Sequence, residues 1–157
     1  MDTDKAQKLA PPPPNQPQMS ADNTQIPSPP HVKADYPHRE VTEKIIGAAF
    51  EVHREVGPGF LEKVYETALI QELKEGGVHA QGQAEITVSY EGQPIGSYYA
   101  DIFVDGRVIC EIKAVQTLAA AHEAQLLHYL KATATEVGLL LNFGADRVQV
   151  KRLVRSR

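Results

Sequence analysis

Ala100-Asp101-Ile102-Phe103-Val104-Asp105-Gly106-Arg107-Val108-Ile109-Cys110-Glu111-Ile112-Lys113 is the stretch on which the fold turns. Apolar runs rich in Val, Ile and Phe flank Asp105-Gly106, a dipeptide that tolerates left-handed backbone and so suits a tight hairpin turn. The stretch therefore reads as two antiparallel strands, Ile95 to Val104 and Arg107 to Lys113. Asp101, Glu111 and Lys113 lie inside the apolar runs. Side chains two apart share one face of a strand, so Glu111 and Lys113 point one way and Cys110 and Ile112 the other. A turn at Asp105-Gly106 pairs positions whose numbers sum to about 211, which sets Asp101 opposite Cys110 with Glu111 beside it.

Working outward, Ala84 to Tyr90 alternates through Ile86 and Val88, and Glu91-Gly92-Gln93-Pro94 supplies a turn, which completes an antiparallel meander. Downstream, Ala119 to Lys131 reads as a helix with Ala124, Leu126, Leu127 and Leu130 on its apolar side. Val137 to Phe143 is apolar enough for a buried strand pairing in parallel with the meander, and Arg147 to Leu153 alternates like an edge strand. Upstream, Ile45, Ile46, Ala49, Phe50, Val52 and Val56 recur at helical spacing over 42–56, with Thr42 as N-cap. Leu61, Val64, Tyr65, Ala68, Leu69 and Leu73 form a second helical stripe ending at Gly76-Gly77. Gly57-Pro58-Gly59 between them reads as a helix–helix turn, because it lacks the Lys-Ser/Thr ending of a phosphate loop. The expected class is α/β, a mixed β-sheet flanked by helices, in the order α-α-β-β-β-α-β-β.

The 157 residues leave room for one core. Residues 1–38 hold nine of the eleven prolines among Gln, Ser, Asn and Asp, so this segment is expected to be a disordered, partly polyproline-II tail. A protein partner docking on that tail is the alternative to a plain linker. The domain proper is expected over 41–153, followed by a basic tail over 154–157. No apolar run approaches the roughly 20 residues of a membrane-spanning helix, and no stretch has the pattern of a secretion signal. The expected location is cytoplasmic. A single cysteine, Cys110, excludes an internal disulfide and a four-cysteine zinc site, and its apolar setting suits a small core residue. The net charge of −4 argues against a general phosphate-coating protein. Arg147, Lys151, Arg152, Arg155 and Arg157, with no acid among them, make the C-terminal end either a solvated basic strand or a contact for a polyanion.

Neighbouring carboxylates repel unless they are protonated or bridged, and a hard divalent cation such as Mg2+ prefers oxygen ligands. Lys113 beside such an ion has the charge to orient a water or to stabilise a phosphate in its transition state. Spacing alone is equally consistent with an ion network of Asp101 and Glu111 with Lys113 or Arg107 that needs no metal. The Glu-x-Lys tripeptide itself says little, since it recurs at Glu72-Leu73-Lys74 on a helix. Glu62 has a plain reading as a first-turn carboxylate at the positive end of a helix, and Tyr65 as a core aromatic. His122 and His128, six apart, suit surface positions better than paired ligands.

Taken together, these motifs make the chain similar to the PD-(D/E)xK nuclease superfamily. Within it, the chain resembles the RecB-like group of small proteins named for a Gly-x-x-Glu-x-x-Arg or Gly-x-x-Glu-x-x-Tyr motif. The resemblance runs through Gly59-Phe60-Leu61-Glu62-Lys63-Val64-Tyr65, Ala100-Asp101, Glu111-Ile112-Lys113-Ala114-Val115, His122 to Leu130, and Gly138-Leu139-Leu140-Leu141-Asn142-Phe143-Gly144. It implies a nuclease-like core in which Glu62, Asp101 and Glu111 hold one or two divalent ions, Mg2+ or Mn2+. It also implies Lys113 as the catalytic lysine, with Gln125 and Tyr129 facing the active site. The i, i+4 spacing of that last pair puts both on one helical face. The implied activity is hydrolysis of DNA phosphodiester bonds, with a homodimer as the implied assembly. The alternative is an inactive module that keeps the scaffold to bind nucleic acid or a protein partner. Two departures stand out: a lone cysteine rules out the iron–sulfur cluster of some RecB-type domains, and Tyr99 stands where many relatives carry Arg before the Ala-Asp pair.

Overall fold

A computed structural model describes residues 37–156. The tail expected over 1–38 thus falls, for residues 1–36, outside the described residues. Helix α1 spans Arg39–Val56 and α2 Glu62–Glu75. A meander of β1 (Ala80–Tyr90), β2 (Gln93–Val104) and β3 (Val108–Lys113) follows. Helix α3 (Ala120–Ala132) then leads to β4 (Val137–Asn142) and β5 (Gln149–Val154). The five strands form one sheet in the order β1-β2-β3-β4-β5, all pairs antiparallel except β3 with β4. Both the mixed sheet and the α-α-β-β-β-α-β-β order agree with the sequence. Among the described residues, no helix is long and apolar enough to cross a membrane.

The periodicities explain the layers. Val41, Ile45, Ala49 and Val52 of α1 and Tyr65, Leu69 and Leu73 of α2 pack on one face of the sheet against Ile102, Val104, Cys110, Ile112, Leu139 and Leu141. Leu126 and Leu130 of α3 cover the other face over Ala100, Ile109 and Leu140. Strand β4 is buried along its whole length and β3 nearly so, as befits central strands covered on both sides. Cys110 is buried in this core.

Four expectations are corrected. Helix α1 begins at Arg39 behind a left-handed His38, and Thr42 is a buried first-turn residue rather than the N-cap. Its hydroxyl bonds back to the Arg39 carbonyl at 3.0 Å. Strand β1 starts at Ala80, four residues early, because pairing with β2 holds a stretch that has no alternation of its own. Glu91 and Gly92, at φ 48° and 78°, form the β1–β2 turn by themselves, so Gln93 and Pro94 belong to β2, beside a bulge at Val88/Ser89. Finally, Phe50, Leu61 and Val64, placed in the helical stripes, are exposed (50%, 77% and 41%), and Ala124 is exposed as well.

The hairpin that decides the fold differs by one position. Val104 pairs with Val108 and Ile102 with Cys110, so the loop is Asp105-Gly106-Arg107, closed by Arg107 N–H to the Val104 carbonyl at 3.0 Å. The extra loop residue raises the register by one and brings Asp101 level with Glu111 rather than Cys110.

Candidate active site

Asp101 sits where the sheet parts. The β2–β3 ladder ends at Ile102 and Cys110. Beyond it, Asp101 Oδ2 accepts the Ile112 backbone N–H at 2.8 Å, and the Asp101 backbone N–H is directed at the Glu111 carboxylate. The Asp101 carboxylate thus stands in for a missing rung. On the other side, the ladder to β1 passes from Gly82/Ile102 to Ala84/Ala100 around Gln83, whose φ is 47°. Residues two apart on a strand normally share a face. Here Ile102 packs under α1 and α2 while Ala100 packs under α3, so the change of side falls at Asp101.

Glu111 is 8% exposed. Burial pushes its carboxyl up to about 7, and the nearby Glu66 charge adds to this, against the opposing pull of the Lys113 ammonium and the Asp101 N–H. Burial also raises the Asp101 carboxyl, helped by Glu66 and resisted by the Ile112 N–H, Gln83 and Lys113. The Tyr98 hydroxyl donates to Glu111 Oε1, and its ring stacks on Tyr129 with centroids 3.8 Å apart. Tyr129 in turn accepts a hydrogen bond from Gln125 Nε2 at 2.8 Å. Gln125 and Tyr129 therefore reach Glu111 through Tyr98.

Glu62 is the first residue of α2. The loop before it is organised by the buried Tyr65, whose hydroxyl donates to the Gly57 carbonyl at 2.6 Å and accepts the Phe60 N–H at 3.2 Å. Its ring lies on Phe143, centroids 4.7 Å apart. Tyr65 is thus a core aromatic with a polar task. Gly57 and Gly59, at φ 75° and 109°, supply the backbone that this loop needs.

The segment after Lys113 is held by Asn142, fully buried. Its amide accepts the Val115 N–H at 2.9 Å and donates to the Val115 carbonyl at 2.8 Å. A further bond runs from Phe143 N–H to the Lys113 carbonyl at 2.8 Å. His122 Nδ1 accepts the Ala119 N–H at 3.1 Å at the start of α3, and His128 is exposed.

One cleft of about 350 Å³ is lined by Glu62, Asp101, Glu111, Lys113, Gln125 and Tyr129, together with Tyr98, Tyr99 and Ile112. All six residues singled out in the sequence thus meet at one place. Among the described residues, no group of three or more His, Cys, Asp or Glu side chains is gathered tightly enough to hold an ion by itself. The donor set still suits Mg2+ or Mn2+: both are hard ions, and Mg2+ is commonly held by one or two carboxylates while water and phosphate fill its remaining positions. Asp101 and Glu111, two carboxylates raised by burial despite the Lys113 ammonium, supply that number.

Sequence reasoning missed Glu66, Gln83, Tyr98 and Asn142. Glu66 carries a signal, since it lies at i+4 from Glu62 on one helical face. Tyr98 and Gln83 carry none, because their places depend on strand pairing and on a kink.

Comparison with curated proteins gives no match. Among solved structures, one described as SSO0001 is similar over 60% of this chain and 50% of its own, at 20% identity and a TM-score of 0.48, so the chain spans half the length of that protein. The family model of the PD-(D/E)XK nuclease superfamily matches residues 39–153, from the first residue of α1 into β5. With that match spanning most of its length, the chain belongs to the PD-(D/E)XK nuclease superfamily.

Proposed function

We propose that the chain is a nuclease that hydrolyses DNA phosphodiester bonds with Mg2+ or Mn2+, and that it is one of the proteins with the Gly-x-x-Glu-x-x-Tyr motif, here Gly59 to Tyr65. Nucleases of this superfamily generally use divalent metal ions. The observation that carries the reading is the meeting of Glu62 from α2, Asp101 from β2, Glu111 and Lys113 from β3, and Gln125 and Tyr129 from α3 in one cleft. In this reading Asp101 and Glu111 hold the cation and Glu62 adds a carboxylate from the opposite layer. When bound, such an ion polarises the phosphate and makes a water molecule more acidic.

The chain's own groups do the rest. The Lys113 ammonium, at the end of β3, orients the attacking water and stabilises the charge that develops on the phosphate oxygens. The Ile112 N–H and Tyr98 hydroxyl fix the orientations of Asp101 and Glu111, so the acids need little rearrangement when substrate arrives. Gln125 and Tyr129 wall the cleft on the α3 side and brace Tyr98 against Glu111.

Purified protein with Mg2+ or Mn2+ should cleave at least one of single-stranded, duplex or branched DNA. Lys113→Ala should abolish that activity while keeping the wild-type circular dichroism spectrum. Identical behaviour of the two proteins on all three substrates would refute the reading.

A further inference from the structure

Glu66 is 3% exposed in α2, one turn beyond Glu62, and lies behind the cleft rather than on its wall. Burying a carboxylate is costly unless it is paired and hydrogen-bonded, so its partners indicate what it is for. They are the exposed Lys63 ammonium at 3.2 Å and the Gln83 amide, whose Nε2 donates to Oε1 at 3.1 Å and Oε2 at 3.3 Å. The same Gln83 nitrogen lies 3.5 Å from Asp101 Oδ1, the oxygen left over when the Ile112 N–H takes Oδ2. One amide therefore stands between a buried acid and a cleft acid.

The backbone is shaped to put it there. Gln83 occupies the left-handed region at φ 47°, a conformation disfavoured for any residue with a side chain. Beside it, a Cβ on Gly82 would lie 2.7 Å from Ile70 Cδ1 and 3.6 Å from Glu66 Oε1, so β1 passes tightly against α2 at this point. The kink coincides with the change of side at Asp101.

We infer that Gln83 and Glu66 are positioning residues: the Gln83 amide, anchored on Glu66, fixes the Asp101 carboxylate, and the Glu66 charge strengthens cation capture without touching the ion. This inference rests on the reading of Asp101 as a metal ligand. Neither residue lines the cleft, so Gln83 acts through Asp101 and Glu66 through its charge on Asp101 and Glu111. Groups behind metal ligands typically alter affinity by roughly 10–100-fold.

The test is isothermal titration of the full chain with MnCl2, paired with melting temperatures, for wild type, Gln83→Gly, Glu66→Gln and Asp101→Asn. Glycine is at ease in the left-handed region, so Gln83→Gly keeps the kink and removes only the amide. It relieves the left-handed strain but takes a partner from the buried Glu66, so it should melt somewhat below the wild type and, while folded, bind Mn2+ roughly 10–100-fold more weakly. Glu66→Gln, which keeps the shape and one acceptor oxygen but not the charge, should weaken binding by roughly tenfold. If Asp101→Asn abolishes binding while a folded Gln83→Gly keeps the wild-type affinity, the positioning role is overturned and the metal site survives. If Asp101→Asn leaves binding unchanged, or the wild type binds no Mn2+, both fall.

Discussion

Glu111 concentrates the physical tension of the site in one side chain. It is buried on β3, and its carboxyl is raised to about 7 from 4.5. The folded protein therefore keeps a proton that the unfolded chain releases. The stability contributed by that proton is fully present below pH 4.5 and is lost as pH rises through about 7. Each pH unit in the window is worth up to about 1.4 kcal/mol, so the whole effect is on the order of a few kcal/mol. Glu111→Gln preserves the shape and does not titrate. In chelator, urea unfolding should show this variant gaining on wild type steadily from pH 4.5 to 7 and holding a constant advantage above it. A difference that does not vary with pH would show that Glu111 is well solvated. Metal binding should release protons below neutrality for the same reason, since a cation favours the ionised carboxylates. The sequence disclosed that a charge sat inside an apolar strand, but not how deeply. Exposure at Glu111 depends on α3 and Tyr98 closing over it, which no local pattern records.

Among the elements, the central parallel pair does the most to place Lys113. Strands β3 and β4 run in register from Val108/Val137 to Lys113/Asn142, and Asn142 then grips Val115 from both sides. Gly144 permits this grip, because a Cβ there would lie 2.4 Å from the Val115 backbone nitrogen and oxygen. Gly144→Ala should lower stability by roughly 2–4 kcal/mol, as backbone cannot yield as a side-chain tip does. Cleavage should fall with it as the segment after Lys113 is displaced. Gly96, in the outer part of β2, has open space around its Cβ position, so Gly96→Ala should change stability by less than about 0.5 kcal/mol. Equal effects of the two substitutions in denaturant unfolding would contradict the clamp. Element types were legible because most of the apolar positions keep their period, near 3.6 in α1 and α2 and unbroken apolar runs in β3 and β4, though Phe50, Leu61 and Val64 fall outside the buried stripes. Registers were not. One extra loop residue, Arg107, shifted the Asp101 level by a single position, and Gln83 reversed a strand face with no trace in composition.

At the scale of the whole molecule, the cleft is a product of topology. Two helices on one face and α3 on the other leave a cleft at the parted end of β2 and β3, lined by acids from separate layers. The six candidate residues were legible as a set only through motifs spread over Gly59 to Tyr129, because distance along the chain hides their convergence. Glu66 and Gln83 stayed hidden for a further reason: they act on the cleft acids without lining the cleft, Glu66 from the buried side and Gln83 from the exposed edge strand. A net charge of −4 argues against a protein that coats nucleic acid with lysine and arginine. The most direct test is anomalous diffraction from crystals of the full chain grown with MnCl2. A manganese peak in the cleft beside the Asp101 and Glu111 carboxylates is the predicted result. A well-ordered cleft with no peak at those oxygens, at a manganese concentration that supports DNA cleavage, would contradict it.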